Sequence, residues 1–143
     1  MKTNLIRIGA ALGAVLAAAP ALAQELTFWS WRQEDRAAYE QFIDTFEAAN
    51  PGITVKFETF EAANYNTILS TALAGGTGPD VMMVRAYGGL ENVASAGYLE
   101  PLTVETVPAL ADFAAPALAA ESMRADGTIY AVPFASQTQL VIY

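Results

Sequence analysis

Three connections in the sequence carry the side chains best able to bind a small polar ligand. Each follows a stretch that is predicted to be extended, and together they offer aromatic rings, guanidinium groups and an amide. The C–H faces of a sugar ring stack on aromatic side chains, while its hydroxyl groups pair with such polar groups. An unmatched buried hydroxyl costs about 1–3 kcal/mol, so the placement of polar groups gives specificity. The candidate ligand-binding residues are Trp29, Trp31, Arg32, Arg85, Tyr87, Gly88 and Gln137.

These candidates also have structural interpretations. Trp29 closes the first predicted strand and could belong to the core. Trp31 follows two residues later in a polar connection, which favours a position in a cleft. Arg32 and Arg85 are two of the seven basic residues in the chain, and each could pair with a nearby acid instead of a ligand.

Other conspicuous residues are expected to be structural. Tyr65 lies on the apolar stripe of a predicted helix and is expected in the core. Asp80 is expected to brace the turn into the third strand, and the scattered Glu residues are expected to form a solvated surface. The Gly75-Gly76-Thr77-Gly78 run is not a phosphate loop, because no Lys follows it and it precedes a strand rather than a helix.

Histidine and cysteine are both missing from the 143 residues. Their absence excludes Ser-His-Asp and Cys-His catalysis, disulfides, thiolate metal sites and a lipidated N-terminal Cys. Hydrolysis by a pair of carboxylates stays open. We therefore expect no cofactor, no metal and no lipid anchor.

The first 23 residues have the pattern of a cleaved signal peptide. Lys2 and Arg7 precede an apolar stretch, and Ala21-Leu22-Ala23 is a small-x-small cleavage site. The 16 residues from Ile8 to Ala23 are fewer than the ~20 of a spanning helix. We expect a mature chain over residues 24–143 that is exported to the periplasm, unanchored and not inserted in the membrane.

Cleavage would make the chain more acidic. Removing Lys2 and Arg7 from the seven basic residues leaves five against fifteen acidic ones, so the net charge falls from −8 to −10. Such a chain has no basic footprint for nucleic acid. An anionic membrane surface would also repel it.

Alternating elements must position the candidate residues. Their order is β-α-β-α-β-α followed by a hairpin region, which predicts an α/β fold with a mostly parallel sheet and helices on both faces. Ligands of such sheets bind beyond the carboxyl ends of the strands, where the strand order switches. The apolar run Val81 to Val84 is typical of a strand covered on both faces. The predicted strands are Leu26–Trp29, Ile53–Glu58 and Val81–Val84, the helices are Glu34–Ala49, Asn64–Ala74, Gly89–Ser95 and Pro108–Ala120, and the hairpin turn is Asp126-Gly127.

Five sequence segments, in order, carry a family resemblance across nearly all of residues 24–143. They are Leu26-Thr27-Phe28-Trp29, Phe42-x-x-x-Phe46-Glu47 with Asn50-Pro51-Gly52-Ile53-Thr54-Val55, Leu73-Ala74-Gly75-Gly76-Thr77-Gly78-Pro79-Asp80-Val81, Gly97-Tyr98-Leu99-Glu100-Pro101-Leu102 and Gly127-x-x-Tyr130-Ala131-Val132-Pro133-Phe134. The chain thereby resembles the N-terminal part of the family 1 extracellular solute-binding proteins. That family serves ATP-binding-cassette importers of sugars.

The resemblance implies a protein of two α/β lobes that clamp a ligand between them and that is not an enzyme. Residues 24–143 would form most of the N-terminal lobe, and the second lobe is absent. The full-length protein would be a monomer that captures a small carbohydrate and delivers it to a membrane permease. A secreted carbohydrate-active enzyme, or a sensory binding module on the same fold, is the alternative.

Overall fold

A computed structural model describes residues 24–135. Its sheet has three parallel strands, β1 (Gln24–Ser30), β2 (Ile53–Thr59) and β3 (Val81–Met82), in the order β2-β1-β3. The predicted signal peptide and Gln137 lie outside the described residues. The predicted α/β class with a parallel sheet is confirmed.

Helices alternate with the strands and then continue beyond them. They are α1 (Arg36–Ala49), α2 (Tyr65–Ala74), α3 (Gly88–Ser95) and α4 (Ala115–Ala120), with short 3-10 helices at Gln33–Asp35 and Pro108–Asp112. Helix α2 ends in a left-handed turn at Gly76, which has a φ of +69°. None of the helices within residues 24–135 has the length and apolarity of a membrane span.

The sheet lies between aromatic clusters on its two faces. On one face, the ring of Tyr39 from α1 packs 5.5 Å from Phe28 and 5.2 Å from Phe57, measured between centroids. Trp29 points to the opposite face, because side chains alternate along a strand. There its ring lies 4.7 Å from Phe60, which in turn lies 6.2 Å from Tyr65 of α2. Helices α1 and α2 therefore cover different faces of β1.

The strand order creates a crevice beside β1. The chain leaves β1 towards β2 on one side and then returns past it to form β3 on the other side. The connections that follow β1 and β3 therefore diverge, which is the arrangement that opens a ligand-binding crevice in doubly wound sheets.

Strand β3 is shorter and more exposed than predicted. Only Val81 and Met82 pair, and Val81 is 50 % exposed. The prediction of a strand over Val81–Val84 that is covered on both faces is wrong for the described chain, because β3 ends at Met82 and half of the Val81 surface is exposed. An apolar run indicates that a strand could be buried. Whether it is buried depends on other elements of the fold that would pack against it.

The aromatic residues in the later turns of α1 are more exposed than their helical spacing suggests. Tyr39 is 6 % exposed, whereas Phe42 and Phe46, which follow it at successive helical spacings of three and four residues, are 63 % and 40 % exposed. Near the end of α1, Glu47 still reaches the sheet, because its carboxylate accepts a hydrogen bond from the N–H of Val55 at 2.6 Å.

Asp80 joins β1 to the start of β3, as predicted for a bracing residue. Its carboxylate accepts hydrogen bonds of 2.8 Å from both the backbone N–H and the hydroxyl of Thr27. The N–H of Asp80 donates to the same hydroxyl oxygen at 3.0 Å. The Thr27 N–H, and then its hydroxyl, lowers the pKa of Asp80.

The region after α3 folds by turns rather than by long elements. The predicted hairpin turn is confirmed, since the N–H of Met123 donates to the carbonyl of Thr128 at 2.9 Å and Gly127 has a φ of +75°. The alanine-rich stretch forms two short helices, and Pro116 lies in the first turn of α4 instead of disturbing a helix. A first turn tolerates proline because its N–H groups have no intrahelical partner.

A bidentate ion pair joins the hairpin to α3. Arg124 donates from Nε and Nη2 to the two oxygens of Glu91 at 2.8 and 2.6 Å, and its backbone N–H adds a bond of 3.1 Å. These hydrogen bonds lower the pKa of Glu91 from 4.5 to about 2.

The Glu91–Arg124 pair should make the fold sensitive to acid. Because the pKa of Glu91 is lower in the folded chain, the pair stabilises the fold fully above pH 4.5 and loses this effect as pH falls towards 2. We expect Glu91→Gln to flatten the decline in free energy of unfolding over this range, as measured by urea titration. Arg124→Gln is the matched variant and should flatten the same decline, and a slope unchanged in both would contradict the role of the pair.

Candidate functional site

A cleft of about 900 Å³ runs along β3, from Gly78 before the strand to Arg85 after it. Of the predicted ligand-binding residues, the structure brings three into its wall, namely Trp31, Arg32 and Arg85. The first two follow β1 and the third follows β3, as the strand-exit rule requires. The volume lies within the range of about 300–1,000 Å³ that is typical of small-molecule sites.

Trp31 and Arg85 form the most distinctive contact of the cleft. The guanidinium carbon of Arg85 lies 4.7 Å from the centroid of the Trp31 ring, which is a cation–π distance. The ring of Trp31 also meets that of Tyr65 edge-on at 5.3 Å. Within residues 24–135, Arg85 has no carboxylate within ion-pairing distance. Its charge is therefore available to a ligand.

Two buried hydroxyl groups hold the ends of β1 and β3 together next to the Trp31–Arg85 pair. Ser30 is fully buried. Its hydroxyl group accepts a hydrogen bond of 2.9 Å from the N–H of Arg32 and donates one of 3.0 Å to the sulfur of Met83. The hydroxyl of Tyr65 donates to the carbonyl of Met83 at 2.8 Å and lies 3.2 Å from that of Trp29. The predicted core position of Tyr65 is confirmed, and burial raises the pKa of its hydroxyl.

Arg32 lines the cleft, but its charge is already shared with acids. Its Nε donates a hydrogen bond to Asp35, and its Nη2 lies 3.5 Å from Glu34. The hydrogen bond that Arg32 donates to Asp35 raises the pKa of Arg32. This is the ion-paired alternative that the sequence left open, and it leaves Arg32 a weaker ligand candidate than Arg85.

Three other predicted residues, Trp29, Tyr87 and Gly88, lie outside the cleft wall. Trp29 packs on Phe60 on the face of the sheet that α2 covers. Tyr87 is 58 % exposed and has a φ of +58°, and Gly88 is the first residue of α3. Gln137 lies outside the described residues. The ligand contacts proposed for these four residues stay predictions.

Glu121 is a cleft residue that sequence reasoning missed. It lies at the end of α4, and burial raises the pKa of its carboxylate. The prediction that every Glu is solvated is therefore wrong at this position. Neither periodicity nor a motif marks it, because it follows a run of alanines in the sequence. The wall also contains Tyr98, Glu100 and Tyr130.

A metal centre has no support in the described part of the chain. No group of three or more carboxylates among residues 24–135 could hold a metal ion. The cleft instead offers an aromatic ring, a guanidinium group and a carboxylate, which are groups that can stack on a ligand and hydrogen-bond to it.

The sequence matches, over residues 29–143, the family described as bacterial extracellular solute-binding protein. The chain belongs to this family. The predicted resemblance is therefore confirmed, and the family is one of solute-binding proteins rather than enzymes. The chain is 30 % identical over 105 residues to the maltotriose-binding protein of Pyrococcus abyssi, covering 73 % of this chain and 22 % of that protein.

Solved structures of solute-binding proteins share the fold of this family member. The sugar-binding protein MalE from Xanthomonas citri is 26 % identical, with a TM-score of 0.66, over 77 % of this chain and 28 % of that one. The GacH receptor of Streptomyces glaucescens, solved unliganded and with acarbose, is 29 % identical, with a TM-score of 0.65, over 78 % and 29 %. The chain thus spans about a quarter of the length of these relatives.

Proposed function

We propose that this solute-binding protein captures a small carbohydrate and delivers it to the permease of an ATP-binding-cassette importer. The observation that carries the proposal is the Trp31–Arg85 pair in the wall of a cleft of about 900 Å³. An indole ring stacks on the apolar face of a sugar, and a guanidinium group beside it donates to hydroxyl oxygens. Binding of maltotriose and acarbose by relatives supports the same ligand class.

The cellular setting forms part of the proposal. Residues 1–23 direct export and are then removed, which leaves an unanchored protein in the periplasm. Residues 24–143 form most of the N-terminal lobe, and a second lobe closes over the ligand from the other side. The family description as extracellular supports export.

The ligand class can be tested by a thermal-shift screen of the protein. The panel contains glucose, maltotriose, xylotriose and raffinose, with amino acids and divalent cations as the contrasting classes. A ligand present at 100 times its dissociation constant stabilises the protein by about 2.7 kcal/mol. We expect a rise in Tm with at least one sugar, whereas rises confined to amino acids or metals would refute the carbohydrate assignment.

A further inference from the structure

The carboxylate of Glu121 is partly buried without a partner. Among residues 24–135, no side chain or backbone group donates a hydrogen bond to it, and no cation lies within 4.0 Å. No side-chain oxygen in that range is both fully buried and unpaired. The oxygens of Glu121 therefore reach open space, and the space that this residue lines is the cleft.

The backbone holds Glu121 close to the exit of β3. The N–H of Tyr87, two residues after Arg85, donates to the carbonyl of Ala120 at 3.0 Å. The N–H of Tyr130 donates to the carbonyl of Glu121 itself at 3.0 Å. Glu121 is therefore anchored by main-chain bonds on both sides, at the same end of the cleft as the cation that stacks on Trp31.

We propose that Glu121 is a specificity-determining residue that accepts a hydrogen bond from one hydroxyl group of the bound carbohydrate. The inference rests on the proposed function. A carboxylate that is withdrawn from water without a partner destabilises the fold, and a ligand donor removes that cost. An ionised carboxylate can only accept, so it favours a hydroxyl and disfavours a deoxy position or an acidic group at this point.

The decisive measurement uses the sugar of the panel that gives the largest thermal shift, together with its monodeoxy analogues. We expect Glu121→Ala to weaken binding of the parent sugar by about 10- to 100-fold in calorimetry. One deoxy analogue should bind the variant and the unsubstituted protein equally, because its missing hydroxyl is the one that Glu121 contacts. Glu121→Gln should fall between them, because its amide oxygen still accepts without a charge.

A structural role would give a different result. Removing a partner-free carboxylate should leave the Tm of the ligand-free protein unchanged or raise it, and Asp44→Asn, an exposed carboxylate outside the cleft, is the control for the change in net charge. Equal losses with every analogue, a lower Tm or unchanged affinity would overturn the role of Glu121 alone. Failure of every sugar to bind the unsubstituted protein would refute the proposed function, and the role of Glu121 with it.

Discussion

Replacing Tyr65 with alanine should lower the free energy of unfolding by about 3–5 kcal/mol, as measured by urea denaturation. The side chain is 1 % exposed and is among the largest that are fully buried in the described chain. Its ring contacts Trp31 and Phe60, and its hydroxyl bonds the carbonyl at the exit of β3. The substitution therefore opens a cavity and leaves the carbonyl of Met83 without its donor, whereas the carbonyl of Trp29 keeps the N–H of Met83.

Two further variants separate the contributions of Tyr65. Tyr65→Phe removes only the hydroxyl and should cost about 1–3 kcal/mol, because the carbonyl of Met83 loses its donor. Phe42→Ala, which truncates a ring that is 63 % exposed, should cost less than about 1 kcal/mol. Similar losses for Tyr65→Ala and Phe42→Ala would show that the junction between β1 and β3 does not depend on Tyr65.

Replacing Trp31 with alanine should weaken carbohydrate binding by about 30-fold or more, which corresponds to about 2 kcal/mol. The ring lines the cleft and carries the guanidinium group of Arg85 on its face. Its loss removes the stacking surface and also frees Arg85 to move. Calorimetric titration with the best sugar of the panel measures the change, and the ligand-free protein should lose little stability because the ring is only partly buried.

Trp29→Ala is the matched control for Trp31→Ala. It removes the same type of side chain two residues earlier in the chain, where Trp29 lies within β1 and packs on Phe60 outside the cleft wall. We expect a lower free energy of unfolding with nearly unchanged affinity. The reverse outcome, in which Trp31→Ala unfolds the protein and Trp29→Ala abolishes binding, would exchange the roles of the two tryptophans.

Sequence patterns predicted the elements because local chemistry determines them. The alternation of apolar and polar residues predicted β2 over Ile53–Glu58, and in the structure this strand is one residue longer and ends at Thr59. The predicted start of the first long helix at Glu34 is displaced to Arg36, because residues 33–35 form a 3-10 turn in which Asp35 binds Arg32 instead of capping. The short length of β3 could not be predicted from such local patterns, because it depends on which strand lies beside it.

The candidate site was predictable only in outline. Strand exits and residue types indicated Trp31 and Arg85, and topology brings them into contact. Nothing in the sequence distinguishes Ser30 as a buried brace from a loop serine, because its role depends on the sulfur of Met83, 53 residues away. Glu121 was missed for the same reason, since its burial is a property of the packed chain.

The brace between Thr27 and Asp80 also governs when the sheet can form. It joins residues that are 53 positions apart, so the central strand stays incomplete until the chain around residue 80 has been synthesised. Pairings between residues so distant in sequence close slowly, because the intervening loop must first lose its freedom. The strand that directly follows the predicted export signal therefore matures late. Under the proposed export, such a delay would keep the chain unfolded while it passes through a translocation channel.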